Sequence, residues 1–403
     1  MRPSGRSEVR ARLPKLAALI GCAVAILWPR HAVATPLKLW HAYRGDEEKA
    51  LLEIVKGFTE EKVEVLALPA DALDSKLASA SLVGEGPDVL IAEHHHLGEY
   101  RARGIVAPIG DAYEGDAAFI GPAVSAVRDA KGVWGAPISP KCMALYVNDA
   151  LVQRTPADIE GIAEMKSSLP NGVFPLVYEA RNTYAHAALF GAWGGELLTK
   201  DDQFGLFGQG AEASLTLALG FLTSGAVPDD ASYNVLKELF KANKAAFVIS
   251  GPWLAAELSD AKDLRYHIEV LPKVRAIGQP MRPLLTVETV MLTKGGAERR
   301  EARALARLIA SRESSELRAR VARSLTARAD VVIPESDQML RAFAEQSKVS
   351  VPMPASQAMQ VVWEPANRAI ESSWAAASCC AGESAAASPA LSSVICFHFT
   401  TSA

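Results

Sequence analysis

Cysteine is scarce in this chain and badly placed for cross-linking. Of five in 403 residues, Cys22 lies near the start, Cys379, Cys380 and Cys396 lie in the tail, and Cys142 stands alone in the body. That excludes a disulfide framework, which a domain of this size does not need, and leaves Cys142 as a small packed hydrophobe. Positive charge is short as well. The net charge is −4, and the first 34 residues hold six positive charges against Glu8, which leaves −9 for the rest. An acidic body is a poor partner for nucleic acid or an anionic membrane surface. After residue 34 no run is long and apolar enough to span a bilayer. No Gly-x-Ser-x-Gly occurs, Cys142 has no histidine near it in sequence, and no His-Glu-x-x-His spacing is present. Nucleophilic hydrolases and zincin-type proteases therefore find no support. No pair of carboxylates stands out as a glycosidase couple either.

What is present begins with a basic stretch leading into Leu16-Ala17-Ala18-Leu19-Ile20-Gly21-Cys22-Ala23-Val24-Ala25-Ile26-Leu27-Trp28, then Ala32-Val33-Ala34 before Thr35. A short apolar run after a basic start, closed by small residues, is the pattern of an export signal. Residues 1–34 are predicted to be a signal peptide, and the mature protein to be periplasmic. Leu19-Ile20-Gly21-Cys22 also has the local chemistry of a lipid-attachment site, but cutting there leaves only a stub of apolar sequence ahead of the cysteine.

Beyond residue 35, short apolar runs alternate with helical stretches. Leu37 to His41, Val63 to Ala67 and Asp88 to Ala92 read as strands. Asp46 caps a helix to about Glu61, with Leu51, Leu52, Val55 and Phe58 on one face, and Ser75 to Val83 forms another. Trp134 to Val147 contains two strand-like runs interrupted at Pro140. Asn182 to Ser224 is mostly helical, and Ala245 to Ser250, Tyr266 to Leu271 and Thr286 to Thr293 return to strand. Pro252 suits the first turn of a helix, and the arginines of Glu298 to Ala310 form a solvated face. This alternation predicts an α/β fold with a largely parallel, covered sheet. From Ser372 onward the chain is rich in Ser, Ala and Cys, has Glu383 as its only formal charge, and shows no helical period, so 372–403 is predicted to be a disordered or aberrant tail.

Two stretches stand out: Gly86-Pro87-Asp88-Val89-Leu90-Ile91-Ala92-Glu93-His94-His95-His96-Leu97-Gly98-Glu99-Tyr100, and Ser250-Gly251-Pro252-Trp253. Each is an apolar run that stops abruptly and opens into a helix, with aromatic or polar side chains at the stop. In α/β sheets ligands gather at the carboxyl ends of strands. Two such ends predict a cleft between two halves.

With Leu39-Trp40, Gly84-Glu85-Gly86-Pro87-Asp88, Ala136-Pro137-Ile138 followed by Leu145 and Asn148, Trp193-Gly194-Gly195, Ser250-Gly251-Pro252-Trp253, Val270-Leu271-Pro272, Met353-Pro354 and Trp363 in order, the chain resembles the carbohydrate-binding extracellular solute-binding proteins of ABC importers, most closely the maltose-binding protein family. The likeness spans most of residues 37 to 371. It implies a two-lobed periplasmic-binding-protein type II fold with a ligand cleft between the lobes. The first lobe would comprise 35–138 and 288–330, the second 143–282 and 335–371, with hinge crossings near 138–143, 282–288 and 329–335. It implies a carbohydrate ligand, permease subunits as partners, no cofactor and a monomer.

The resemblance also places the site. A sugar offers apolar faces and a rim of hydroxyls, so its receptor needs flat rings and placed polar groups. The rings would be Tyr184, Trp253 and Trp363, with Tyr233 and Met353 beside them, whereas Trp40 reads as core. His95, His96, Lys141 and Asn182 occupy positions of hydroxyl clamps. Arg44 and Asp74 lie at two further contact positions, with Tyr43 adjacent. Rings expected at 92 and 185 are replaced by Ala92 and Ala185. Carboxylates therefore look largely replaced by donors and cations, which predicts an oligosaccharide of different linkage or an acidic sugar. An alternative is a metal-dependent periplasmic hydrolase using His94 to His96. Three consecutive side chains diverge on either a strand or a helix, however, and cannot all reach one ion.

Overall fold

The computed structural model describes residues 35–381 apart from 200, 207 and 259. The predicted signal peptide, with Cys22, and the tail beyond 381 lie outside the described residues. No helix among the described residues is long and apolar enough to cross a membrane.

Two sheets organise the chain into two lobes. The first contains β1 (Leu37–His41), β2 (Val63–Ala67), β3 (Val89–Glu93), β4 (Val106–Ala107), β5 (Ala136–Lys141), β10 (Leu284–Thr293) and β11 (Val351–Pro352). The second contains β6 (Ala144–Asn148), β7 (Phe174–Val177), β8 (Ala245–Ser250) and β9 (Tyr266–Glu269) in the order β9-β6-β8-β7. β1 pairs in parallel with β2 and β3, since the helices Gly45–Lys56 and Ala70–Leu82 return the chain to the same edge each time. β10 then runs antiparallel to β3 along one side and to β5 along the other, so the sheet is mixed rather than largely parallel.

β10 is the longest strand, and all ten of its residues are buried. Its sequence Leu-Leu-Thr-Val-Glu-Thr-Val-Met-Leu-Thr is what a strand covered on both faces requires, save for one charge at Glu288. The chain leaves the first sheet between β5 and β6, at Cys142 and Met143, and returns through 270–283 into β10. After the helix Arg312–Ala322 it reaches the helix Gln338–Val349, which packs on β6 and β9 of the second sheet.

Several local expectations change. The break between β5 and β6 falls after Lys141, not at Pro140, which pairs with Val287 inside the ladder. A proline is tolerated there because β5 pairs only with β10, and its missing N–H can face away from that partner. The first helix ends at Lys56 and buries Ala50, Leu51 and Ile54, leaving Leu52 45% exposed. The stretch after Val349 is not wholly part of the second lobe, because β11 pairs with the start of β10.

The largest correction concerns the C-terminus: one helix runs from Trp363 to Ala381, with Trp374 0% exposed in the second lobe's core. Alanine is the best helix former, and tertiary burial of Trp374 and Ala377 supplies what periodicity does not show. Trp374 Nε1 also donates to the Asp229 carbonyl oxygen at 3.2 Å. Cys142 is buried, its thiol pushed up to about 12 by burial. Trp40 is core, packed with Leu73, Leu77 and Leu90.

Candidate functional site

The polar half of the site grows out of strand ends on the first lobe. Glu93, last residue of β3, is the cross-strand partner of Glu288 on β10. Like charges directly opposite one another repel, and a cation from the third strand offsets them. Lys141, last residue of β5, donates to Glu288 Oε1 at 2.6 Å and lies 3.4 Å from Glu47 Oε1 on the helix Gly45–Lys56. Burial opposes the ammonium's charge, but Glu288, Glu47 and Glu93 together raise its pKa well above the ordinary lysine value. Burial, and then Glu288, push Glu93 up to about 7. Tyr43 is buried beside this cluster, and burial together with the nearby Glu288 charge pushes its phenol pKa up. Beneath lies Arg318, also buried, donating to the Ile309 carbonyl at 2.7 Å and to Ser315 Oγ at 3.0 Å. Burial lowers its pKa to about 10, against the pull of Tyr43 and Glu288.

The three histidines divide their work. His94 is fully buried, with Nε2 donating to the Met353 carbonyl at 2.8 Å while Nδ1 accepts from the Val287 N–H at 3.0 Å. Burial holds its pKa down to about 4, so it is a neutral structural pin joining β3, β10 and the 353 segment. His95 and His96 turn the other way on a 3-10 turn, rings 4.1 Å apart. His95 Nδ1 lies 3.3 Å from Glu93 Oε2, and His96 Nδ1 lies 3.3 Å from Asp74 Oδ2. His96 stacks on Tyr100, whose hydroxyl donates to Asp74. The divergence expected of three consecutive histidines thus holds for His94 alone. Glu93, His95 and His96 each offer a ligand atom within 4.8 Å of the others.

The aromatic half comes from the second lobe. Tyr184, on the helix Thr183–Ala192, and Trp253, on the helix Pro252–Glu257, have ring centroids 6.5 Å apart, and both are half-buried. Tyr184 lies close enough to Thr286 on the first lobe's long strand, and to Glu93 and Lys141, for these groups to bear on its phenol, whose pKa burial raises. Gly251 fixes the other ring: a Cβ there would lie 2.1 Å from the Trp253 indole, and its carbonyl accepts from the buried Tyr146 hydroxyl at 2.7 Å. Tyr233 packs on the same core cluster as Trp253 and donates to Glu257 Oε1 at 3.0 Å. Trp363 and Tyr184 pack against one further cluster.

The remaining predicted residues stand apart. Arg44 is exposed at the start of the helix that carries Glu47. Asn182 caps the helix Thr183–Ala192, its Oδ1 accepting from the Tyr184 N–H at 2.8 Å. Met353 is buried and contributes its carbonyl to His94. A separate apolar cavity of about 240 Å³, lined by Phe190, Leu197, Leu284, Val351 and Pro354 among others, contains none of the predicted residues.

Carboxylates nevertheless surround Lys141. Glu47, Glu93 and Glu288 converge on Lys141, from a helix and two strands rather than from the positions the resemblance indicated. With its charge taken up by carboxylates, Lys141 gives no reason to expect an acidic sugar. One signal for the missed residues was available: Glu288 is the sole charge in a ten-residue apolar run, where a charge is costly unless paired.

A family model described as bacterial extracellular solute-binding protein matches residues 53–344. The galactooligosaccharide-binding protein of Bacillus subtilis (strain 168) is 25% identical over 355 residues, covering 81% of this chain and 82% of that protein. In fold, the chain is similar to a cyclo/maltodextrin-binding protein complexed with maltotetraose, with a TM-score of 0.77 at 21% identity, covering 92% of this chain and 99% of that one. It is similar also to an extracellular solute-binding protein from Staphylococcus aureus in complex with maltose, with a TM-score of 0.75 at 22% identity, covering 91% of this chain and 96% of that one.

Proposed function

The chain belongs to the family of bacterial extracellular solute-binding proteins, and from that premise we propose that it is the periplasmic sugar receptor of an ABC importer, taking a neutral oligosaccharide. The observation that carries this reading is the juxtaposition of two unlike surfaces: the Tyr184–Trp253 ring pair of one lobe, and the Lys141 and Glu93 charges of the other, which bear on Tyr184. Rings cover the apolar C–H faces of a pyranose. Carboxylates such as Glu47 and Glu93 accept from its hydroxyls, and hydrogen bonds to charged groups are the strong ones, about 1.5–3 kcal/mol each. His95, His96, Asp74 and Tyr43 border the carboxylates, and Tyr233 and Trp363 pack with the clusters that carry the rings. The named ligands of relatives, galactooligosaccharide and maltodextrin, are neutral and agree with this chemistry.

Ligand touching both lobes favours the closed form, and the crossings at 142–143, 270–283 and 323–337 absorb the rotation. The closed monomer then docks on the permease subunits of the importer. The hydrolase alternative is set aside with the family, whose members bind solutes without turning them over. Calorimetric titration of EDTA-treated protein with maltotriose, a galactooligosaccharide and a uronic-acid disaccharide tests the reading. Saturable binding of a neutral sugar without turnover supports it. Binding of the acidic sugar alone, or cleavage, would sink it.

A further inference from the structure

We propose that Glu93, His95 and His96 form a site for a divalent transition-metal ion of the zinc, nickel or cobalt type on the first lobe's side of the cleft. The three ligand atoms lie within 4.8 Å of one another. Ligands held about 2.0–2.1 Å from a tetrahedral ion sit about 3.3–3.4 Å apart, and Glu93 Oε2 and His95 Nδ1 are separated by 3.3 Å.

The hydrogen bonding is the second observation. His95 Nδ1 and His96 Nδ1 are both buried and neither has a hydrogen-bond partner. Yet each has a carboxylate oxygen at 3.3 Å, Glu93 for one and Asp74 for the other. Buried polar nitrogens are nearly always satisfied. Two of them beside carboxylates, neither turned to bond its neighbour, is an arrangement suited to converging on a third body. His94 is excluded, since both its ring nitrogens are engaged.

The donor set and the local charge select the ion. Two imidazoles and a carboxylate favour borderline transition metals over calcium or magnesium, which prefer all-oxygen sites. Around the site, Glu47, Asp74, Glu93 and Glu288 outnumber the two cations, Lys141 and the buried Arg318, so a further cation is drawn in. The side chains of His95 and His96 are 16% and 21% exposed and that of Glu93 is 41% exposed, enough for entry. All three ligands fall within residues 93–96 of one lobe, so the site exists whether the cleft is open or closed, and three protein ligands leave a further position for water or a sugar hydroxyl.

The test uses the full chain after EDTA treatment, in a Cys379→Ser, Cys380→Ser, Cys396→Ser background so that tail thiols supply no ligands. Cobalt(II) is titrated and followed by its visible d–d absorption, and zinc by calorimetry. One equivalent of each is expected. The cobalt spectrum should be lost in His95→Ala and in His96→Ala, weakened in Glu93→Gln, and kept in His267→Ala, where the histidine lies between Asp149 and Glu269. Circular dichroism checks that each variant is folded, with Glu93→Gln as the least disruptive. No uptake in this background, or uptake lost with His267 but not with His95, would overturn the site. Sugar binding is measured metal-free, so failure here leaves the receptor reading standing.

Discussion

The two halves of the cleft are built on opposite principles. On the first lobe, Glu47, Glu93 and Glu288 gather around the ammonium of Lys141, a cation set among carboxylates that repel one another. On the second, Tyr184 and Trp253 owe their places to local packing: the bare Cα of Gly251, a helix cap at Asn182, and the clusters behind them. A buried ion cluster contributes little net stability but is costly to break, whereas rings contribute contact area piecemeal. The charged half should therefore govern folding and orientation, and the aromatic half affinity.

The sharpest way to break this contrast is Lys141→Met. It leaves Glu288 and Glu47 without their cation and should destabilise the fold by about 3–5 kcal/mol in urea unfolding. Adding Glu288→Gln should recover much of that loss. A single variant of near wild-type stability would mean that the cluster is not coupled.

Next in size is Trp253→Ala. Loss of a central aromatic anchor should weaken sugar binding by about 2 kcal/mol, roughly thirtyfold, in calorimetry. Equal weakening by Lys141→Met and none by Trp253→Ala would reverse the assignment.

The smallest effect is one of pH, and it belongs to the charged half alone. Glu93 titrates near 7 in the fold against an ordinary value of 4.5, so the native state holds this proton more tightly than the unfolded chain does. Its ionisation therefore costs stability as pH rises from 4.5 through 7, and the cost is absent below 4.5. Glu93→Gln mimics the protonated form. It should gain on the wild type above pH 7, with the gap closing on acidification. Because the side chain is 41% exposed, solvent screening keeps the difference to about 1 kcal/mol or less. Thermal midpoints of the two proteins across pH 4 to 8 would show it; parallel curves would place Glu93 outside the cluster.

Much of the fold was legible. β1 and β2 agree residue for residue with the apolar runs that announced them, and β8 follows Ala245 to Ser250 in the same way. The ends of helices were less so, because caps and burial decide them: the first helix stops at Lys56, where the Gly57 N–H closes the last turn on the Ile54 and Val55 carbonyls. The C-terminal helix was invisible because its Ala-rich stretch carries no pattern, and one buried indole, Trp374, does the organising. In the site, rings at strand and helix ends could be named from sequence. The carboxylates could not, since Glu47, Glu93 and Glu288 lie far apart along the chain and meet only through strand register and a helix start.

The prolines of β5 have a further consequence. This strand closes one side of the first sheet, pairing with β10 and with no other strand among the described residues. Pro137 and Pro140 deprive its outer edge of a continuous row of N–H donors, the feature by which an open sheet recruits strands from neighbouring molecules. The margin is buried, and the Ala327 N–H donates across it to the Ile138 carbonyl at 3.0 Å. Two prolines written into it leave even a transiently uncovered margin a poor template for self-association.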